Sequence, residues 1–255
     1  MTTFERELTF AREIAVAAGE NARRIREAGV TAEAKADASP VTAADRDNER
    51  LIREAIEREF PEDGILGEEG SSKPGTSGRR WIIDPIDGTR DFVRGNRFWC
   101  VLIALEQGDE SLVGVAHFPM LGETYWAERG GGAFRNAERL QASSISAISD
   151  CVFGPGGLHS EQAAPVMGRV VELAQRSWAV RCFGGALDAC LVAAGAVDIW
   201  FEPKVEPWDV AALRLILEEA GGRFMAPDGS RSIYKGTAVG CAPGVEGEVR
   251  SWLGL

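Results

Sequence analysis

Residues 81–92 read WIIDPIDGTRDF, and this stretch constrains the chain more than any other. An apolar run, Trp81 to Ile83, leads straight into two acids that flank Pro85 and Ile86. Proline removes a backbone donor and stops a strand or helix from continuing smoothly. Two close carboxylates repel each other and cost solvation when buried. A cation between them removes both penalties. A strand ending at Asp84 and a turn through Pro85 would aim Asp84 and Asp87 at one spot, and hard divalent ions such as Mg²⁺ take such oxygen ligands. Ile86 would add its main-chain carbonyl there while its bulky side chain points into a core. Asp87 also suits a helix N-cap, with Gly88 and Thr89 opening the helix and their N–H groups facing an anion such as phosphate. A capped turn without a ligand explains the same residues, so the motif alone leaves both readings open. Two alternatives fit worse. An EF-hand loop needs acids at alternating positions and a closing Glu. A covalent aspartyl-phosphate route of the D-x-D-G-T kind needs its nucleophile where Pro85 stands.

The chain has 255 residues, 45% of them hydrophobic, enough for one large domain or two fused halves with a sizeable core. Lys and Arg number 28 against 39 Asp and Glu, a formal net charge of −11. That balance argues against nucleic-acid or anionic-membrane partners, which both want a basic face. The cysteines are five, with no CxxC pair, and read as free buried thiols of a reducing compartment. The start MTTFERELTF has no basic segment followed by an apolar run, and no apolar stretch reaches the roughly 18 residues of a membrane span. A cytoplasmic protein is expected. Two histidines, His117 and His159, make a His-rich zinc site or a His-based triad a poor fit, and both read as ordinary surface or loop residues. The seven tryptophans read as core and interface packing rather than base stacking.

Phe4, Leu8, Ala11, Ala15, Ala18, Ala22 and Ile25 recur at alternating four- and three-residue steps, one face of an amphipathic helix that Gly29 can end. A second helix is expected over 43–60, before Pro61. Residue 64 begins a short strand that becomes a Gly/Ser/Pro loop. Strands follow at 80–84, as a pair joined at Gln107–Glu110, and as a hairpin around Gly130–Gly132. Near residue 140 the pattern changes to alternation: helix 161–177, strand 178–183, helix 185–195, strand 197–201, helix 208–220 closed by Gly221 and Gly222, then a strand and a DG turn. Residues 1–140 thus read as an α+β half and 141–255 as an α/β half. Together they form one layered unit with a cleft between the halves.

Further acids stand at similar punctuation. Glu68 and Glu69 follow a short apolar run in ILGEEG, Asp209 stands at the mouth of a helix in EPWDVAAL, and Asp45 near the start of one in PVTAADRD. Each alone reads as a cap or a solvated acid. Taken together, VTAAD, GEE, WIIDPIDGTRDF and EPWDVAALRLILEEAGG resemble the inositol monophosphatase superfamily of Mg²⁺-dependent, Li⁺-sensitive phosphatases, in its order and nearly along the whole chain. The resemblance implies an αβαβα sandwich, a homodimer and a small phosphorylated metabolite as substrate. It implies on the order of two or three Mg²⁺ ions per site. Glu68, Asp84 and the Ile86 carbonyl correspond to ligands of a first metal, Asp84, Asp87 and Asp209 to those of a second, and a third, weaker metal leans on Glu68. Gly88 and Thr89 correspond to phosphate-binding positions. Thr89, paired with Asp45, corresponds to the group that orients and deprotonates the attacking water, and with Glu68 these complete the catalytic set. Glu69 is a bystander in this pattern. Lys35, in AKADASP, belongs either to a loop near the third metal or to solvent.

Specificity rests on less. Glu202 lies seven residues before Asp209, where the matching acid of inositol phosphatases binds ring hydroxyls. A carboxylate holds the amino group of histidinol phosphate equally well. Gly184, Gly185 and Ala186 are expected to form another wall of the substrate site. DFVRG, LIALEQGD, HFPMLGETYWAERGGGAF, the short 181–186 loop and GAVDIWFEP resemble the histidinol-phosphate phosphatase branch, and so point to histidine biosynthesis. The lack of a polar side chain at 184–186 departs from that branch and keeps inositol 1-phosphate, or a broader set of small phosphates, as the alternative. A Mg²⁺-binding regulatory protein is the non-enzyme alternative, and the full set of acids argues against it.

Overall fold

The structure is a computed structural model that describes residues 3–29, 31–34 and 40–255. Lys35 lies outside the described residues. The first half of the chain comprises α1 (Glu5–Ala28), β1 (Ala32–Ala34), β2 (Pro40–Thr42), α2 (Ala43–Glu59), β3 (Gly64–Gly67), β4 (Ser72–Lys73), β5 (Arg79–Asp87), α3 (Thr89–Arg94), β6 (Cys100–Gln107), β7 (Glu110–Phe118), β8 (Glu123–Glu128), β9 (Gly132–Arg135) and β10 (Glu138–Arg139). The second comprises β11 (Val152–Pro155), α4 (Met167–Arg176), β12 (Ala179–Val180), α5 (Gly185–Ala193), β13 (Ile199–Glu202), α6 (Pro207–Glu219), β14 (Arg223–Met225), β15 (Ala238–Cys241) and α7 (Glu246–Leu253). An eight-stranded sheet runs β10-β9-β8-β7-β6-β5-β3-β4, and a five-stranded sheet runs β12-β11-β13-β15-β14.

Strand alternation builds the layers. Val101, Ile103 and Leu105 of β6 turn to the alanine stripe of α1 and to Ile52 and Ile56 of α2. Cys100, Leu102 and Ala104 turn the other way, onto α5 and α6. Trp200 of β13 faces α5 and α6, while Ile199 and Phe201 face Val170 of α4 and Val249 of α7. The order is therefore helices, sheet, helices, sheet, helices, the αβαβα sandwich that the resemblance implies. With helices on both faces, β6 and β7 are buried on both sides and read as nearly unbroken apolar runs.

The structure corrects several readings of the sequence. The helix expected over 161–177 starts as a 3₁₀ turn, Glu161–Val166, because Pro165 lacks the N–H an α-helix needs there. The strand expected at 178–183 is only Ala179–Val180. Four cysteines are buried but Cys182 is exposed. His117 is neither surface nor loop: it is buried in β7, its Nδ1 lies 2.9 Å from Thr124 Oγ1, and burial lowers its pKa to about 4. Trp81, Trp99 and Trp200 are core residues, whereas Trp178 is 74% exposed.

Candidate active site

A break in register creates the site. β5 and β6 pair regularly as far as Asp84 opposite Leu102, and the next pair is Asp87 opposite Cys100. Three steps on β5 thus match two on β6, a bulge at Pro85–Ile86. Pro85 has no N–H to donate to the ladder, so the bulge forms where a bond would be missing anyway. The extra residue resets the strand's alternation. Asp84 and Asp87, three apart and otherwise on opposite faces, now turn to one side. Asp209 reaches the same point from α6, and one oxygen from each of the three acids lies within 4.8 Å of the others. Ile86 sends its side chain into a cluster with Ala22, Ala44, Phe92 and Trp99. Its N–H donates to Asp84 Oδ1 at 3.0 Å.

Helix caps aim the remaining groups. Asp45 sits in a capping box, where its Oδ2 accepts from the N–H of Thr42 at 2.7 Å and from the Thr42 hydroxyl at 2.5 Å. Its Oδ1 is left for the Thr89 hydroxyl at 3.3 Å, and the Ile86 carbonyl is a second acceptor for that hydroxyl at 3.1 Å. Asp45 is therefore both a cap and the partner of Thr89. Asp209 repeats the device: its Oδ2 accepts from the Glu206 N–H at 2.7 Å. The N-cap of α3 is Gly88 and not Asp87; its φ of 82° is a left-handed conformation that glycine takes without strain.

Glu68, Asp84, Ile86, Asp87, Gly88, Thr89, Gly184, Gly185, Ala186, Glu202 and Asp209 all line one cavity of about 320 Å³. Asp45 does not line it and acts on it through Thr89. The N–H of Glu69 donates to Glu49, away from the acids. Burial and the repulsion of neighbouring acids shift the carboxyl groups of Asp84, Asp87 and Asp209 upward. Asp84 is raised well above the carboxylate range by burial and then by Glu68, Asp87 and Asp209. Asp87 is pushed up to about 7 by burial and Glu68, against a smaller pull from the Ala186 N–H. Asp209 is raised by burial and Asp87. Glu202 is pushed up to about 8 by burial, then by Asp87 and Asp209. Three carboxylates at this separation, with Ile86 lining the same cavity, form an all-oxygen donor set that fits a hard divalent cation and offers nothing to a soft one.

Several residues of the site carried no clear signal. Asp188 of α5 accepts from the N–H groups of Phe183 and Gly184 and so holds the 183–186 wall; burial raises its pKa to about 6. An acid in the first turn after a Gly-Gly pair was the available clue. His159, read from the sequence as an ordinary surface or loop residue, lines the cavity, as do Arg90, Lys204, Asp91, Phe98 and Trp200. Glu202 is cradled by glycines: a Cβ on Gly156 would stand 1.9 Å from its Oε2, and one on Gly157 2.2 Å from its Oε1.

A family model described as the inositol monophosphatase family matches residues 5–251. The histidinol-phosphatase of Mycobacterium tuberculosis is 42% identical over 210 residues, 80% of this chain and 81% of that protein. The inositol-1-monophosphatase of Rhizobium meliloti is 38% identical over 218 residues, 81% of this chain and 79% of that protein. Among solved structures, the extragenic suppressor protein suhB of Bartonella henselae superposes with a TM-score of 0.92 at 31% identity, over 98% of both chains.

Proposed function

Because the chain belongs to the inositol monophosphatase family, we propose that it hydrolyses L-histidinol phosphate with Mg²⁺ as the resident ion. It is a phosphoric monoester hydrolase. Glu68, Asp84, Asp87, Asp209 and the Ile86 carbonyl would hold the metal. Bound there, Mg²⁺ supplies positive charge for the phosphoryl oxygens and the leaving alkoxide and lowers the pKa of water. The N–H groups of Gly88 and Thr89 meet the phosphate. The Thr89 hydroxyl, which donates to Asp45, has its lone pairs left to accept a hydrogen from the attacking water. Asp45 fixes that orientation and can receive the proton through Thr89.

The observation that carries the substrate is Glu202, a buried carboxyl group that lines the cavity with no cationic side chain among the described residues bonded to it. A buried carboxylate is stabilised more by an ammonium group than by a neutral hydroxyl. The greater identity to the histidinol-phosphatase supports the same reading. The bare wall Gly184–Gly185–Ala186 favours inositol 1-phosphate as the second reading, since no side chain there contacts an imidazole. A homodimer, a cytoplasmic location and inhibition by lithium belong to the proposal on the family resemblance alone. Phosphate release from histidinol phosphate and inositol 1-phosphate, with Mg²⁺, tests it. The expected result is a kcat/KM ratio of about a hundredfold for histidinol phosphate, roughly 2.7 kcal/mol of transition-state discrimination. The reverse preference makes the chain an inositol monophosphatase, and no release from either overturns both readings.

A further inference from the structure

Gly184 and Gly185 lie between two carboxylates. A Cβ on Gly185 would stand 3.5 Å from Glu202 Oε2, and one on Gly184 would stand 3.8 Å from Asp91 Oδ2. Both acids line the cavity, Glu202 from the end of β13 and Asp91 from the first turn of α3. The two oxygens of Asp91 differ in task. Oδ1 accepts from the Asn96 side-chain amide at 2.7 Å, which fixes the rotamer. Oδ2 is thereby turned toward Gly184. Phe98 lines the same corner; its Cβ and carbonyl come within 4.0 and 3.7 Å of the Gly184 Cβ position, and its ring packs edge-on against Phe183 at 6.0 Å. This corner offers an acceptor beside an aromatic ring. The opposite corner offers the buried Glu202 carboxylate with the buried Trp200 indole N–H beside it.

We propose that Asp91, with Phe98 beside it, reads the imidazole ring of histidinol phosphate while Glu202 takes the ammonium group. The inference rests on the substrate proposed above and deepens it. It also explains how a wall without polar side chains recognises a heterocycle: glycine at 184 and 185 leaves the space through which the ring reaches an acid on the other half of the chain. A ring N–H donates to Asp91 Oδ2, and the ring face or edge meets Phe98. A polyol phosphate makes ordinary hydroxyl contacts at both corners. A second phosphate group meets two carboxylates and is repelled, so the same pair disfavours bisphosphates.

An acid in the first turn of a helix also serves the helix itself, and the test must separate that role from recognition. Asp91→Asn preserves volume and the contact with Asn96, but it puts an amide donor where the ring donor would arrive. The kinetics of the wild type, Asp91→Asn and Glu202→Gln are compared on histidinol phosphate, on 2-aminopropyl phosphate, which keeps the amine and lacks the ring, and on inositol 1-phosphate. For Asp91→Asn the expected loss in kcat/KM on histidinol phosphate is at least about tenfold, mostly in KM, against no more than about threefold on the other two. Glu202→Gln should lose on both amines. Equal losses of Asp91→Asn on all three substrates, or no loss on histidinol phosphate, overturn the inference, as do equal wild-type rates on the two amines. A wild type that prefers inositol 1-phosphate overturns the proposed substrate instead, and the ratio between the two amines still reports on Asp91. Thermal unfolding of Asp91→Asn close to that of the wild type excludes a folding origin for the loss.

Discussion

Without metal, the protein should lose stability as pH rises from 5 to 8, and Mg²⁺ should reverse the trend. The cause is the burial of Asp87 near the charge of Glu68, which pushes its pKa from 3.8 to about 7. Between those values the fold retains a proton that the unfolded chain has released. Stability therefore falls as pH climbs through the window and levels off above it. At about 1.36 kcal/mol per pKa unit, the move corresponds to roughly 4 kcal/mol. Only about two of those units lie between pH 5 and pH 7, roughly 2.7 kcal/mol; at about 2–4 °C per kcal/mol for a chain of this size, the metal-free protein should melt roughly 5–11 °C lower at pH 8 than at pH 5. Asp84, Asp209 and Glu202 are raised as well and push in the same direction.

Mg²⁺ binds the ionised carboxylates only, so its stabilising increment should be small at pH 5 and large at pH 8. Scanning calorimetry in chelator and in excess Mg²⁺, at both pH values, reads all four numbers. Asp87→Asn serves as the control, because it removes one titrating acid and must flatten the metal-free slope; a general effect of the net charge of −11 would leave the slope intact. A metal-free melting temperature that is flat or rises toward pH 8, or a Mg²⁺ increment equal at both pH values, would refute the reasoning.

Two further outcomes follow from single contacts. Asp84→Asn should cost on the order of a thousandfold in kcat/KM, about 4 kcal/mol, whereas Glu69→Gln should stay near wild type; comparable initial rates for the two variants would remove Asp84 from the metal site. Gly156→Ala places a methyl group 1.9 Å from Glu202 Oε2 and must displace that carboxylate. KM for histidinol phosphate should then rise about tenfold or more with Mg²⁺ affinity unchanged, and a variant that loses Mg²⁺ affinity in titration calorimetry instead would show that Glu202 serves the metal.

What could be read from the sequence was whatever a local pattern encodes. The alanine stripe of α1 and the apolar runs of β6 and β7 carry their own periods, and Asp84 and Asp87 announce a site because two acids around a proline have no easy structural use. Asp45 and Asp209 were legible as caps, and both are caps. Their second task was not, because a capping box engages one carboxylate oxygen and only the tertiary arrangement decides where the other points. Asp188 and Asp91 were missed for a related reason. Each is an acid in the first turn of a helix, a common and inert position, and acquires a role only when Gly184 and Gly185 come between α3 and β13. The burial of His117 was invisible because nothing in β7 says that α1 covers it so closely; a Cβ on Gly19 of that helix would stand 2.7 Å from the imidazole.

The two halves meet at the chemistry itself. Asp84 and Asp87 belong to the eight-stranded sheet, Asp209 to α6, and α6 packs with α5 between the two sheets. Gly114 of β7 admits this packing: a Cβ there would stand 2.7 Å from the Ala212 carbonyl of α6. The Ala186 N–H, at the start of α5, reaches the Asp87 carboxylate across the same boundary. The metal ligands and the substrate wall are therefore fixed by one shared core, not by a hinge. A cation in the cluster neutralises the repulsion that the core imposes and draws acids from both halves onto one centre. The acids that weaken the empty fold above pH 7 are therefore the ones that would hold the two halves together when the site is filled.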